Sequence, residues 1–230
     1  MSRREAGLIL TVIVLLAAVA WLAFDRLTLA PPTAMSGAPG QGCIADSIAA
    51  LQRAPSVPPC TFDDCECRLK CRAGSAGACL GLAYAAEKDS KHENEAKAFY
   101  QRACLQGEAN ACTNFAAHIW ARNPTDPQLA CARRTFERAC TAGEPFACGM
   151  VGRIMLENTD HPPYADARRY LEAACEKVSG FPCRVLAKHL ESGKLGEYES
   201  ATIQSLLAQA CTAGDPDACG KHTTASETFR

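Results

Sequence analysis

Residues 140–148 of this chain read CTAGEPFAC. Two cysteines flank seven residues, Gly143 lies three places after the first cysteine, and Ala147 directly precedes the second. The pattern occurs five times, and its first cysteines follow each other at intervals of 33, 36, 35 and 36 residues. A period of this length is typical of a stack of supersecondary units and not of a compact enzyme fold. The five copies are Cys71/Cys79, Cys104/Cys112, Cys140/Cys148, Cys175/Cys183 and Cys211/Cys219.

The composition limits the classes of protein to which the chain can belong. Of its 230 residues, 48% are hydrophobic but only 7% are aromatic, and small apolar side chains suit closely packed helices. The formal net charge of −1 provides no basic footprint for a nucleic acid, so we expect no nucleic-acid partner. Fifteen cysteines without a matching series of histidines favour disulfide bonds over metal ligation. Disulfide bonds in turn indicate an oxidising compartment.

The N-terminal segment has the features of a membrane anchor. Residues 2–5 read SRRE, and the nineteen residues 6–24 that follow carry no charge. As a helix these residues would span roughly 28 Å, close to the thickness of a hydrocarbon core. The basic head predicts residues 1–5 in the cytoplasm and residues 6–24 as a transmembrane signal anchor. A cleaved signal peptide is the alternative, with Thr28-Leu29-Ala30 as the nearest cleavage pattern, and the protein would then be secreted.

The remainder of the chain divides by composition into a linker, a repeat domain and a tail. Residues 25–42 are rich in proline and glycine and are predicted to form a flexible linker. The repeat domain is predicted over residues 43–224, and residues 225–230 are predicted to be disordered. We therefore expect a single-pass protein of the inner membrane whose repeat domain lies in the periplasm or another extracytoplasmic space.

Most copies have helical periodicity on both sides of their cysteine pair. In the first four copies a small residue, such as Gly152, stands four places after the second cysteine, which predicts that a neighbouring helix approaches closely. Before the first cysteine, bulky residues such as Tyr170-Leu171 stand five and four places back. A glycine such as Gly143 then closes this helix in the left-handed conformation. In the fourth copy Val178 holds that place, so a different turn is expected there.

The cysteine spacing follows from this arrangement. The first cysteine lies in the last turn of one helix and the second lies in the first turns of the next helix. A glycine-closed reversal brings the two side by side, at about the 5.5–6 Å between α-carbons that a disulfide prefers. The ten repeated cysteines are therefore predicted to form five disulfides, each of which closes a loop of nine residues. Chain entropy predicts that each bond stabilises the fold by about 2.6 kcal/mol.

These patterns resemble the Sel-like (Sel-one-like) repeats of the tetratricopeptide superfamily over about residues 43–222. The shared features are an A-x-x-(F/Y) helix, a glycine turn, and an A-C pair that opens a helix with small residues. The C-x7-C clamp resembles the cysteine-rich, exported bacterial subgroup. The resemblance implies an all-α, right-handed α/α solenoid of disulfide-clamped helical hairpins with a protein or peptide bound on its concave face. We accordingly expect a membrane-anchored, extracytoplasmic scaffold or adaptor.

Two other functions are weighed against the scaffold. Some members of the cysteine-rich subgroup carry a beta-lactamase or penicillin-binding label, which would imply a hydrolase. That chemistry needs S-x-x-K, S-D-N and K-T-G elements, and none of the three occurs in this sequence. The other alternative is a redox or metal-handling assembly factor that uses Cys65, Cys67, Cys71 or Cys131. For the scaffold itself we expect no catalytic residue, no metal and no cofactor.

Five cysteines remain outside the repeated pairs. Cys43 holds the place of a second cysteine whose upstream partner is missing, and we predict that Cys67 bonds to it. Cys60 is predicted to bond to Cys65. Cys131 is then left as a free thiol, which is either buried and idle or used for an intermolecular or redox contact. The spacing of the cysteines around residue 65 matches no common zinc pattern.

Paired arginines recur in the helices that precede the third and fourth first cysteines, as Arg133-Arg134 and Arg168-Arg169. One interpretation is a solvated outer face. The other is a basic strip that binds an acidic peptide.

Overall fold

All described residues of the computed structural model belong to one unit, Gln41–Arg230. They are residues 43–48, 50–52, 56–122, 125–157, 162–178, 180–196 and 198–224. Among them, no helix is both long and apolar enough to cross a membrane. Four predicted segments lie outside the described residues and stay predictions: the cytoplasmic head 1–5, the membrane span 6–24, the linker 25–42 and the tail 225–230.

The described residues form α-helices and contain no β-strand beyond one isolated bridge. A short 3-10 turn, Ser90–His92, leads into the fourth of these helices. The helices are α1 Ile44–Ser47, α2 Cys65–Arg72, α3 Ala76–Glu87, α4 Glu93–Leu105, α5 Ala109–Trp120, α6 Asp126–Thr141, α7 Pro145–Glu157, α8 Tyr164–Val178, α9 Phe181–Glu191, α10 Ser200–Thr212 and α11 Pro216–Thr224.

From α2 onward the helices follow one another as five hairpins. Consecutive helices from α2 to α11 pack against each other, and α7 also contacts α9. Contacts between sequence neighbours are what a stack of repeats requires, so the predicted all-α solenoid of hairpins is confirmed for the described residues. The handedness of the solenoid stays a prediction.

The turns between paired helices follow the glycine pattern. The glycine three places after the first cysteine has a positive φ in four turns, for example 86° at Gly143. A side chain is strained in this conformation, whereas glycine is not. The fourth turn differs, as we expected from Val178 at the place of the glycine. Its glycine, Gly180, has a negative φ of −70° and lies at the N-terminus of α9. Side chains cap several of the following helices; the Ser75 hydroxyl, for example, accepts a hydrogen bond from the Ala78 N–H at 3.3 Å.

The core is built from alanine and a few large side chains. Phe136 in α6 and Leu171 in α8 hold the same repeat position, and both are fully buried. Gly152 in α7 faces α8 so closely that an added Cβ would lie 2.8 Å from Leu171 Cγ and 2.9 Å from the Ala167 carbonyl oxygen. The predicted close approach at this small residue is therefore present, and a larger side chain would push the two helices apart.

The structure joins the ten repeated cysteines in the five pairs that their spacing predicts. The distance between paired α-carbons is 4.5 to 4.7 Å, which is shorter than the 5.5–6 Å that we expected. The distance is short because both cysteines lie on helical turns that face each other across the reversal. It still falls within the range of about 4.4–6.8 Å that disulfides tolerate. The bonds are Cys71–Cys79, Cys104–Cys112, Cys140–Cys148, Cys175–Cys183 and Cys211–Cys219.

The predicted pairing of the remaining cysteines is wrong. Cys43 bonds to Cys131, with 5.3 Å between their α-carbons, and Cys60 bonds to Cys67 at 6.1 Å. Cys65 is the free cysteine, and it is exposed at the N-terminus of α2. The prediction failed because it treated Cys43 as part of a further hairpin. The chain around Cys43 instead passes over α6, where Cys131 is within reach.

Residues 43–48 and 50–52, which we call the strap, lie across α6 and the turn between α4 and α5. Asp46 pairs with Arg134 at 3.0 Å, and the Arg138 guanidinium donates to the Ala45 carbonyl. At the other end of the strap, the Gln52 N–H donates to the Gly107 carbonyl at 2.8 Å, and the Ala109 N–H donates to the Gln52 carbonyl at 2.9 Å. Ile44, the first residue of α1, and Ile48, which directly follows α1, are both buried.

Candidate functional site

A groove of about 460 Å³ lies between α8 and the loop that follows α9. The α8 side chains that line the groove recur at intervals of three and four residues, which places them along one side of that helix. The loop closes the opposite wall, and its glycines 193 and 196 have φ values of 71° and 100°. The groove is lined from α8 by Tyr164, Ala165, Arg168, Arg169 and Glu172, and from the loop by Lys194, Leu195 and Gly196.

Arg168 holds the two walls of the groove together. Its Nε donates to Glu172 Oε1 at 2.7 Å, and its other nitrogens donate to the Leu195 carbonyl at 3.4 Å and to the Tyr198 hydroxyl. The guanidinium also lies 4.7 Å from the centre of the Tyr198 ring. The hydrogen bond to Glu172 raises the pKa of Arg168 above its ordinary value. Arg168 therefore supplies shape and a fixed positive charge to the groove.

The groove also has one exposed aromatic side chain and two exposed cationic side chains. Tyr164 is 41% exposed, Lys194 is exposed, and the Arg169 side chain is 75% exposed although it pairs with Asp166 at 3.0 Å. Three cationic side chains and the carboxylate of Glu172 give the lining two net positive charges, in a chain whose formal net charge is −1. Asp166, which pairs with Arg169 but does not line the groove, offsets one of these charges. An exposed cationic pair beside an exposed tyrosine can bind a carboxylate and pack against an apolar side chain.

A second polar cluster lies between α3, α4 and α5. The Tyr100 hydroxyl donates to Glu87 Oε2 at 2.6 Å, and His118 Nε2 lies 3.6 Å from Glu87 Oε1. Burial raises the pKa of the Tyr100 phenol and lowers the pKa of His118. Arg122 pairs with Glu93, and this hydrogen bond holds the pKa of Glu93 below its ordinary value. The cluster links three helices, and its carboxylates are already engaged, so we assign it a structural role.

The repeated cysteines that the sequence singled out lie inside the hairpins and not in the groove. None of them lines the groove, and each sulfur is bonded to its partner. They therefore act as clamps between helices and offer no thiol for catalysis or metal binding. Among the second cysteines of the pairs, those fully buried are Cys79, Cys112 and Cys183, and those partly buried are Cys148 and Cys219.

The cysteines near α2 leave little for a redox or metal site. The sulfurs of Cys60 and Cys67 and a carboxylate oxygen of Asp64 lie within 4.8 Å of one another, which is a spacing that could hold a metal ion. The two sulfurs are bonded to each other, however, so this form of the protein offers no thiolate there. Because Cys71 and Cys131 are also in disulfides, the redox or metal hypothesis retains only Cys65.

The arginine pairs singled out in the sequence have different surroundings. Arg133 pairs with Glu137 at 3.4 Å, and Arg134 pairs with the strap. Arg168 and Arg169 line the groove. The sequence did not indicate the contribution of Lys194 and Tyr198, because they belong to an aperiodic loop whose path depends on Arg168.

Neither a protein-family model nor a curated protein sequence matches this chain. Solved structures do show a similar fold. One is c5321, a protective antigen present in uropathogenic Escherichia coli strains that displays an SLR fold. It has a TM-score of 0.59 and 18% identity, and the match covers 71% of this chain and 36% of that chain. Another is a Sel1 repeat protein from Oxalobacter formigenes, with a TM-score of 0.55, 21% identity, and coverage of 64% and 60%.

This chain thus spans about a third of the first of these structures and three fifths of the second. At these identities the likeness shows the fold. The Sel-like repeat architecture that the sequence predicted is therefore confirmed.

Proposed function

We propose that this chain, with its Sel1-like repeat fold, is a protein-interaction scaffold that binds an acidic segment of a partner protein in the groove between α8 and the loop after α9. The observation that carries the proposal is the local excess of positive charge in a chain of nearly balanced charge. Repeat stacks offer extended surfaces on which a partner can lie. No described feature favours the hydrolase or the redox factor over this function.

The geometry of the groove suits a segment that carries carboxylates. Arg169 and Lys194 are the two exposed cations, one on each wall, and Tyr164 offers an aromatic face. Arg168 is already bonded to Glu172 and Leu195, so it fixes the groove before a ligand arrives. A groove that needs no rearrangement loses less conformational entropy on binding.

We further propose that the scaffold is held at the outer face of the inner membrane by residues 6–24. The basic head of residues 1–5 and the uncharged stretch of residues 6–24 support this location. Fourteen of the fifteen cysteines lie in disulfides, which supports an oxidising compartment. If residues 6–24 are instead removed as a signal peptide, the scaffold is secreted.

A binding experiment tests the groove. A short glutamate-rich peptide with one aromatic residue is expected to bind the full chain, and its lysine-rich counterpart is not. The double substitution Arg169→Glu and Lys194→Glu should weaken binding by about tenfold or more, because it replaces two attractions with two repulsions. Fluorescence anisotropy measures both affinities, and raising the salt from about 0.15 M to about 1 M should weaken binding of the acidic peptide.

The matched control is the double substitution Lys91→Glu and Arg133→Glu. It changes the net charge by the same amount, but both residues are exposed and neither lines the groove. Binding of the acidic peptide to this control should stay close to that of the natural chain. Equal loss of binding in the two double variants would mean that overall charge and not the groove attracts the peptide, and the proposed function would be wrong.

A further inference from the structure

The strap is an internal example of how this repeat binds a segment that is remote in sequence. It joins α6 through residues that stand nine, six and two places before the first cysteine Cys140. These are Cys131, which is bonded to Cys43, Arg134, which pairs with Asp46, and Arg138, which donates to the Ala45 carbonyl. We call this surface of α6, together with the turn at Gly107, the strap site.

The same positions of the next repeat lie on α8. Counted back from Cys175, they are Asp166, Arg169 and Ala173. Arg169 is thus the counterpart of Arg134, and the i,i+4 pair Arg133–Glu137 has its counterpart in Arg168–Glu172. Because the two helices share this charge pattern, an acidic side chain that fits α6 has an equivalent position on α8.

Among the described residues, none lies over the turn at Gly143 in the way that the strap lies over Gly107. A Cβ added at Gly107, in the turn beneath the strap, would lie 2.9 Å from the carbonyl oxygen of Ala50, whereas one added at Gly143 would meet no atom within 4 Å. Asp166, Arg169 and Ala173 are all exposed. The surface pair between Arg169 and Asp166 is the contact that an incoming carboxylate must displace, and exposed pairs of this kind contribute little to stability.

We propose that α8 and the turn at Gly143 form a second strap site, which binds a partner segment of the strap's own chemistry: an apolar residue, an acidic residue two places later, and a second apolar residue after that. The strap supplies the template, since Ile44 and Ile48 are buried and Asp46 between them pairs with Arg134. Exposed Tyr164, Ala165 and Ala173 provide the apolar surface on α8. This inference rests on the proposed function and specifies the residue pattern of the partner segment.

The second site lacks three features of the first, so its ligand must be reversible. Asp166 stands where Cys131 forms a disulfide, and Ala173 stands where Arg138 donates to the Ala45 carbonyl. Pro145 stands where the Ala109 N–H donates to the strap. A bound segment therefore has neither a covalent link nor the second backbone hydrogen bond. Its affinity depends on Arg169 and on the apolar contacts.

A synthetic peptide of residues 44–52 tests the proposal against the full, oxidised chain. The natural strap is bonded to α6, so we expect the added peptide to bind at the vacant site on α8. We expect measurable binding that falls by about tenfold when Asp46→Lys is made in the peptide or Arg169→Glu in the protein. The Arg169→Glu protein should bind the Asp46→Lys peptide better than the natural protein does. The control Arg134→Glu should leave affinity within about twofold, since the natural strap, bonded through Cys43, already occupies the site on α6.

The outcomes separate the two proposals. If the strap peptide does not bind while the glutamate-rich peptide does, the second strap site is wrong and the groove remains. If Arg134→Glu weakens binding of the strap peptide as much as Arg169→Glu, the peptide is exchanging with the strap on α6, and the second site is again wrong. If neither peptide binds, both proposals fail.

Discussion

Replacing Cys43 and Cys131 together by serine is expected to lower the free energy of unfolding by about 4.6 kcal/mol. Their disulfide spans 88 positions of sequence, whereas the five repeated disulfides span only eight. A longer loop restricts the unfolded chain more, so this bond stabilises the fold the most. Its loss also frees the strap, which buries Ile44 and Ile48. Urea unfolding of the full chain, followed by far-UV circular dichroism, measures the change.

The control for this prediction is the double substitution of Cys140 and Cys148 by serine. It removes one disulfide as well, but the closed loop is short, and the expected loss is about 2.6 kcal/mol. A strap variant that proves as stable as the natural chain, or more stable than this control, would show that the long disulfide does not stabilise the fold by restricting the unfolded chain.

Phe136→Ala is expected to cost about 3–5 kcal/mol, because it removes a large side chain from a site that cannot collapse. Phe136 is fully buried, and so are Tyr100 and Leu171, which hold the same position in the neighbouring repeats. The disulfide between Cys140 and Cys148 fixes the end of α6, so the helices have little freedom to close the cavity. The same urea measurement gives the change in the free energy of unfolding.

Leu69→Ala is the exposed control for the buried truncation Phe136→Ala. Leu69 is 62% exposed on α2, so its truncation should change the free energy of unfolding by no more than about 0.5 kcal/mol. If Phe136→Ala were tolerated as well as Leu69→Ala, the repeat position four places before the first cysteine would not be the core position that the structure indicates.

Much of the fold could be predicted because it is local. The cysteine interval, the turn glycines and the small residue at Gly152 each depend on contacts between adjacent helices, and the sequence repeats each of these features in four or five copies. Even the exception was visible, since Val178 in place of a glycine indicated the different turn that Gly180 now forms. The pairing of the repeated cysteines follows from the same geometry.

The strap could not be predicted, because it occurs once and its contacts are remote in sequence. Nothing in the repeat indicates that Cys43 reaches Cys131, and five leftover cysteines allow many pairings. Only one wall of the groove could be predicted from the sequence. The pair Arg168-Arg169 suggested a basic strip, but the second wall depends on where Arg168 holds the loop at Leu195. A tertiary contact of that kind leaves no periodic pattern in the sequence.

The disulfide bonds hold the hairpins together and indicate the oxidising compartment, and peptide mapping by mass spectrometry under non-reducing conditions tests them directly. Thiols are blocked during isolation of the full chain, so only unbonded cysteines are alkylated. We expect alkylation at Cys65 alone, and cross-linked peptides that join Cys43 to Cys131 and Cys60 to Cys67 beside the five repeated pairs. Alkylation of the second cysteines of those pairs would contradict the clamped stack; they are Cys79, Cys112, Cys148, Cys183 and Cys219.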